Sequence, residues 1–310
     1  MRQTAMRILQ QLRGIARRTG FRDAMPTTLR RWMADRLLRL TIEMQVTSRV
    51  DPQTILLADF PRCGMGWIRF LLATVLHYQN TGAFRKLTFD DMYPYAPTLT
   101  GREATYQPYR FHGGSHLLKT HAPYHPQFRR AIVIYRNPYE AIRSNYTLDI
   151  TEEAGSPYGR LRGHSEEETY LVEMAREYIT FHESWLSAIR ACPSAFLVVK
   201  YEDMVTHPLD ILRQILSFLA LDAALPPNGL EQLASLYTRT DVSPPFRNRL
   251  PLEEGLRRKA ASFQRLQPIM QPAVLGGIAP ELERALMASV EAMDHVRCRV
   301  EEAAVAPQTA

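Results

Sequence analysis

The chain has 310 residues, of which 45% are hydrophobic, 23% charged and 9% aromatic. These are ordinary globular proportions, and they set aside intrinsic disorder and collagen-like repeats. The net charge is +6, and no stretch reaches the roughly 18 uncharged apolar residues of a membrane-spanning helix; the best, Trp67 to Tyr78, is short and carries Arg69.

The charge is unevenly placed. Residues 1–50 hold eleven Arg against Asp23, Asp35 and Glu43, so this segment carries +8 and the remainder, with 27 basic and 29 acidic residues, carries −2. A nucleic-acid-binding fold puts its basic patch on the folded body, so no nucleic-acid partner is expected. The arm has helical spacing, with Met6, Leu9, Leu12 and Ile15, then Trp32, Leu37, Leu40 and Met44. Two readings stay open for it: a solvated helix packed on the body, or an Arg-rich amphipathic helix lying peripherally on an anionic membrane. Arg2, Arg7, Arg13, Arg17 and Arg18 are not followed by the clean apolar stretch of a secretory leader. Three cysteines, Cys63, Cys192 and Cys298, build neither a disulfide framework nor a four-cysteine zinc site. A reducing, cytoplasmic setting, or the cytoplasmic face of a membrane, is expected. The division expected is a basic helical arm over 1–50, one α/β domain over 51–300 and a disordered tail over 301–310.

Four apolar runs predict buried strands at Ile55–Phe60, His116–His121, Ala131–Arg136 and Phe196–Tyr201. Helical patterns follow the first, third and fourth, at Gly66–Tyr78, Pro138–Leu148 and Pro208–Leu221. Strand then helix, repeated, predicts an α/β fold with a mostly parallel central sheet and helices on its faces. Ser165-Glu166-Glu167-Glu168 is a capping box. It opens a helix whose Leu171, Met174, Ala175, Tyr178, His182, Trp185, Leu186 and Ile189 make one core-facing stripe. Residues 79–115, aromatic and weakly periodic, are expected as a substrate lid; residues 151–164, with Gly155, Pro157, Gly159 and Gly163, are expected as a second mobile loop.

Ligands of open parallel sheets bind at the carboxyl ends of the strands, and this sequence puts unusual polar residues there. The first strand runs into Pro61-Arg62-Cys63-Gly64-Met65-Gly66-Trp67 and then a helix. Glycines let backbone N–H groups converge on an anion, the helix N-terminus adds partial positive charge, and Arg62 supplies a planar bidentate fork. The Gly-Lys-Ser/Thr ending of nucleotide triphosphatases is missing. The second strand ends in Lys119-Thr120-His121, placing a cation and a proton acceptor two apart on one face. The third ends in Arg136-Asn137-Pro138, with Ser144 eight residues after the Arg, and both side chains are suited to one phosphate. The fourth ends in Tyr201-Glu202-Asp203, where an aromatic ring is suited to border a flat base and the acids to cap a helix.

In this order, the four pieces resemble the sulfotransferases that use 3′-phosphoadenosine 5′-phosphosulfate (PAPS). That family's loop reads Tyr-Pro-Lys-Ser-Gly-Thr-Thr-Trp; here it is Phe60-Pro61-Arg62-Cys63-Gly64-Met65-Gly66-Trp67. The resemblance spans about residues 54–222 and implies a three-layer α/β/α fold like that of P-loop NTPases, with an N-terminal helical arm added. It implies that Arg62 contacts the 5′-phosphosulfate, that the amides of Cys63, Gly64, Met65 and Gly66 cradle it, and that Trp67 and Tyr201 lie by the adenine. Arg136, Asn137 and Ser144 match the 3′-phosphate motif, Lys119-Thr120-His121 implies His121 as general base, and Lys119 and Arg62 would stabilise transferred charge. The late Arg-Lys-Gly segment is not intact: Arg247 within Ser243–Arg249 is the nearest equivalent, with Arg257, Arg258 and Lys259 as a second candidate. The loop departs from the family at Arg62, where lysine is replaced, and at Cys63, Met65 and Gly66, where hydroxyl side chains are lost. The implied activity is sulfuryl transfer from PAPS to a hydroxyl of a glycan, glycolipid or small metabolite, leaving 3′-phosphoadenosine 5′-phosphate (PAP), with no metal required. Two other readings stand beside it. Cys63 and Arg69 have the Cys-x5-Arg spacing of cysteine-dependent phosphatases, and the loop departures suit a non-catalytic anion-binding or membrane-associated module.

Overall fold

A computed structural model of the chain describes residues 40–100, 102–151, 167–222, 225, 226, 228–237, 264 and 267–305. The basic arm up to residue 39, most of the 151–164 loop, and Arg247, Arg257, Arg258 and Lys259 lie outside the described residues. Among the described residues no helix is long and apolar enough to cross a membrane.

Helix α1 occupies residues 40–49. The four strands are β1 (Thr54–Asp59), β2 (His116–Thr120), β3 (Ala131–Tyr135) and β4 (Phe196–Lys200), each stopping one residue short of its predicted end. They form one parallel sheet in the order β2-β1-β3-β4. All six residues of β1 and all five of β3 are buried, as expected of parallel strands covered on both faces. The register sets Ala58 beside Thr120, Asp59 beside Ile134, and Tyr135 beside Lys200. The four carboxyl ends are therefore level, and the segments beginning at Phe60, His121, Arg136 and Tyr201 leave the sheet along one edge.

Helix α2 (Met65–Thr81) follows β1, and α3 (Phe89–Met92) is a short turn closed by a Thr88–Asp91 capping box. Helix α4 (Pro138–Thr151) follows β3, and α5 (Glu167–Ala191) returns the chain to β4. Then come α6 (Tyr201–Thr206), α7 (Pro208–Phe218), α8 (Gly229–Leu236), α9 (Pro272–Ile278) and α10 (Pro280–Val305). One layer groups α2 with α7 and α8; the other groups α4, α5, α9 and α10, and α10 lies along both α5 and β4. The predicted α5 stripe is buried at every position from Leu171 to Ile189, each large apolar side chain contributing about 1.5–3 kcal/mol.

Two expectations need correction. The 79–115 stretch is packed rather than loose: Tyr95, Ala96, Leu99 and Phe111 are buried, and residues 97–99 extend the sheet beside β2. There Lys119 donates to Pro97 O at 2.8 Å and Leu99 donates to Lys119 O at 2.7 Å. Arg49 fastens the same segment from α1, donating to Thr98 O and Tyr106 O. The tail expected over 301–310 begins as helix, because α10 continues to Val305.

Candidate active site

Seven residues at the sheet edge build the site. Phe60 is buried edge-on against Tyr178, with ring centroids 5.2 Å apart, which turns the chain sharply after Asp59. Arg62 has φ of 73° and Gly64 φ of 102°. Left-handed backbone costs a side-chain-bearing residue about 1–2 kcal/mol. At position 64 there is also no room, because a β-carbon would lie 2.5 Å from Tyr201 Cδ2 and 2.8 Å from Cε2. Gly64 thus lets the Tyr201 ring close down on the loop, and it begins α2 without any side-chain cap. The N–H groups of Gly64, Met65 and Gly66 have no acceptor among the described residues, as befits the open first turn of a helix. The Cys63 N–H is different, being bonded to Phe60 O at 3.2 Å. Of the four amides expected to cradle an anion, three remain available and Cys63 does not.

The β3 exit meets this loop. Arg136 donates from Nη1 to Arg62 O at 3.0 Å, and its guanidinium carbon lies 4.3 Å from the Tyr201 ring centroid. Arg62 donates from Nε to Ser144 Oγ at 3.1 Å. Asn137 caps α4, its Oδ1 accepting from Tyr139 and Glu140 at 3.0 and 3.2 Å, so Asn137 orients the helix that carries Ser144. Two residues that the sequence placed in the core stripe and at the end of the fourth strand hold this exit in place. Tyr178 donates to Arg136 O at 2.7 Å, and Glu202 accepts from Asn137 N at 3.0 Å. The Trp67 indole N–H is buried and has no partner among the described residues, which leaves a donor beside the loop.

On the β2 side, His121 Nδ1 lies 2.7 Å from Asp59 O and 2.9 Å from Asp59 Oδ1, while its Nε2 contacts Lys119 Nζ. Asp59 is buried, with 1% of its surface exposed. The cation stands on β2, the imidazole on the residue just after it, and the carboxylate ends β1. Contacts join Lys119, His121 and Asp59 on one side and Arg62, Ser144, Arg136 and Tyr201 on the other, and residues 60–61 of the loop connect the two groups. Among the described residues, no group of three or more His, Cys, Asp or Glu could hold a metal ion.

The electrostatics separate Cys63 from the chemistry. Its thiol is fully buried and pushed well above the usual range, first by burial and then by the Asp59 charge, outweighing Arg136 and Arg62. Arg69 is also buried and spends its guanidinium on Ala96 O, from Nε at 2.9 Å. A phosphatase needs an accessible thiolate and a free Arg; here the thiol is protonated and the Arg is a strut for the 93–99 segment. Deeper on α5, burial pushes His182 down to about 4, partly offset by its bond to Tyr178 O and by Asp59.

A protein-family model described as "Sulfotransferase family" matches residues 61–224, more than half of the chain. The chain belongs to the sulfotransferase family. A mouse sulfotransferase, SULT7A1, solved in complex with PAP, is similar to it at 16% identity with a TM-score of 0.47, over 68% of this chain and 73% of that one. No curated protein matches.

In this sulfotransferase, Arg62, Ser144, Arg136 and Tyr201 are joined by direct contacts, His121 and Lys119 are joined at the next strand end, and Gly64, Met65, Gly66 and Trp67 line the turn between. Asp59 is the residue that sequence reasoning missed. The available signal was a carboxylate ending a strand in which every other position is apolar or Thr.

Proposed function

We propose that this sulfotransferase moves a sulfuryl group from PAPS to an acceptor hydroxyl, with His121 as general base. The observation carrying this reading is that the Lys119–His121 pair, held against Asp59 at the end of β1, and the contacting group of Arg62, Ser144, Arg136 and Tyr201 stand at the two ends of one short loop. Three open amides at a helix N-terminus, an unpartnered buried indole N–H and a glycine pressed under an aromatic ring fit an adenine nucleotide carrying phosphates. The amides of Gly64, Met65 and Gly66 with Arg62 would hold the 5′-phosphate, Arg136 and Ser144 the 3′-phosphate, and Trp67 and Tyr201 the adenine. PAPS supplies an activated sulfuryl group when bound.

His121 Nε2 takes the proton of the acceptor hydroxyl. Lys119 and Arg62 are the cations at hand for the charge that develops, and the α2 N-terminus adds its partial positive charge. The acceptor is proposed to be a glycan, glycolipid or small-metabolite hydroxyl. The three unpaired cysteines suit a reducing, cytoplasmic setting, and the basic arm suits peripheral contact with an anionic membrane.

The test is transfer of label from radiolabelled PAPS to a panel of glycans, glycolipids and phenols. Label on an acceptor is the expected result; PAP binding without transfer to any acceptor supports the anion-binding module instead. His121→Ala should lower turnover by about 10²-fold or more, and near-wild-type turnover with PAP binding intact would remove His121 as the base.

A further inference from the structure

We infer that Asp59 is the positioning residue for His121, its main-chain carbonyl setting the tautomer and its carboxylate stabilising the imidazolium formed when the acceptor proton arrives. The inference rests on the reading of His121 as the base.

The sheet register makes the pairing unavoidable. Ala58 lies beside Thr120, so the next step along both strands brings Asp59 beside His121. There the imidazole Nδ1 faces two oxygens of one residue, at 2.7 Å from the carbonyl and 2.9 Å from the carboxylate. Both are acceptors only, whereas Lys119, at Nε2, is a donor only. A neutral imidazole has one N–H and one lone pair, so each neighbour independently demands the proton on Nδ1 and the lone pair on Nε2. Nε2 is thereby the basic atom.

The second observation concerns the carboxylate itself. Asp59 Oδ1 is buried and has no hydrogen-bond partner among the described residues, because the Nδ1 proton is directed at the carbonyl. An ionised carboxylate without a matched donor is costly inside a protein. The costs of burial and poor pairing fall when His121 becomes cationic, since the charge then forms 2.9 Å away. Cys63 in the loop and His182 on α5 also feel the Asp59 charge, and burial disfavours the charged form of both. His121 is the neighbour whose change of charge answers it. When the acceptor O–H bond breaks, the proton goes to Nε2, the oxygen keeps the electron pair, and the positive charge on the ring is shared with the Nδ1 side. Lys119, which caps Nε2, has to move towards the developing negative charge for the lone pair to be used.

The experiment is Asp59→Asn, which keeps the shape and removes the charge, read by nitrogen-15 and proton NMR of the histidine rings together with steady-state kinetics. In the wild-type protein His121 should show a pyrrole-like Nδ1 and a pyridine-like Nε2. In Asp59→Asn the Nδ1 proton resonance should move upfield, and kcat should fall about 10²-fold, in the range of a positioned base, with the KM for PAPS little changed. An unaltered Nδ1 resonance with unaltered kcat overturns the inference. So does a wild-type ring protonated on Nε2, a measurement that needs no variant to fold. Failure of the base assignment reads out separately, as retained turnover in His121→Ala.

Discussion

Gly64→Ala tests how tightly the phosphate loop is built. The residue has φ of 102°, and its β-carbon would lie 2.5 and 2.8 Å from two carbons of the Tyr201 ring. Left-handed strain alone is about 1–2 kcal/mol, and forcing an extra carbon into a packed contact adds about 1–3 kcal/mol. A total near 3 kcal/mol lowers the melting temperature by roughly 4–6 °C in a chain of 310 residues. Gly82→Ala is the control: its φ is 70° but nothing lies within 4 Å of the new β-carbon, so it should show the strain without the contact. The two variants should differ in function as well. Tyr201 can yield only by shifting its ring relative to the Arg136 guanidinium, now 4.3 Å away. Loss of a cation–π contact of about 0.5–2 kcal/mol weakens PAP binding by about 3–30-fold. Differential scanning fluorimetry and isothermal titration calorimetry measure both effects. Equal destabilisation by the two alanines, with PAP affinity intact in each, would refute the packing argument.

Cys63→Ser should spare sulfuryl transfer, because the thiol is buried and protonated, while lowering stability by about 1–3 kcal/mol for a buried hydroxyl; a thiol reagent should label Cys192 and Cys298 in the native protein and reach Cys63 only on unfolding. Loss of transfer with the fold intact would return Cys63 to the chemistry. His182 has its folded value lowered to about 4 from 6.5. The unfolded chain therefore takes up the proton first as pH falls, and stability present above pH 6.5 is lost on the way down to about 4, by about 3 kcal/mol. His182→Phe, among the rings of Tyr178 and Phe181, should flatten the pH dependence of denaturant unfolding over that window, and an unchanged slope would contradict the assignment.

The parallel sheet was legible because its strands are near-continuous apolar runs, and the loop because glycines and Arg62 follow the first of them directly. Each of these is a local pattern. What stayed hidden depends on register and packing between segments far apart in the chain. Asp59 reads as the polar end of a strand until β2 is laid beside β1 and His121 comes level with it. The Cys63 amide looks available in a glycine-rich loop, but the tight turn at Phe60 consumes it. The 79–115 segment lacks periodicity because it is fixed by Arg49, Arg69 and the backbone of Lys119 instead of by its own amphipathic pattern. Helix α10 was missed for a related reason: Ser289 and Asp294 interrupt its apolar stripe. Asp294 is there to receive the Tyr135 hydroxyl and Lys200, partners more than ninety residues away.

The most direct measurement of the central claim is the thermal stabilisation of the full chain by PAP compared with adenosine monophosphate, which lacks the 3′-phosphate. A site holding both phosphates gives about 2.7 kcal/mol of added stability at a ligand concentration 100 times its Kd. The prediction is a clear rise in melting temperature with PAP, a much smaller one with the monophosphate at equal concentration, and loss of that difference in Arg136→Ala. Equal shifts for the two nucleotides, or none for either, would contradict the account.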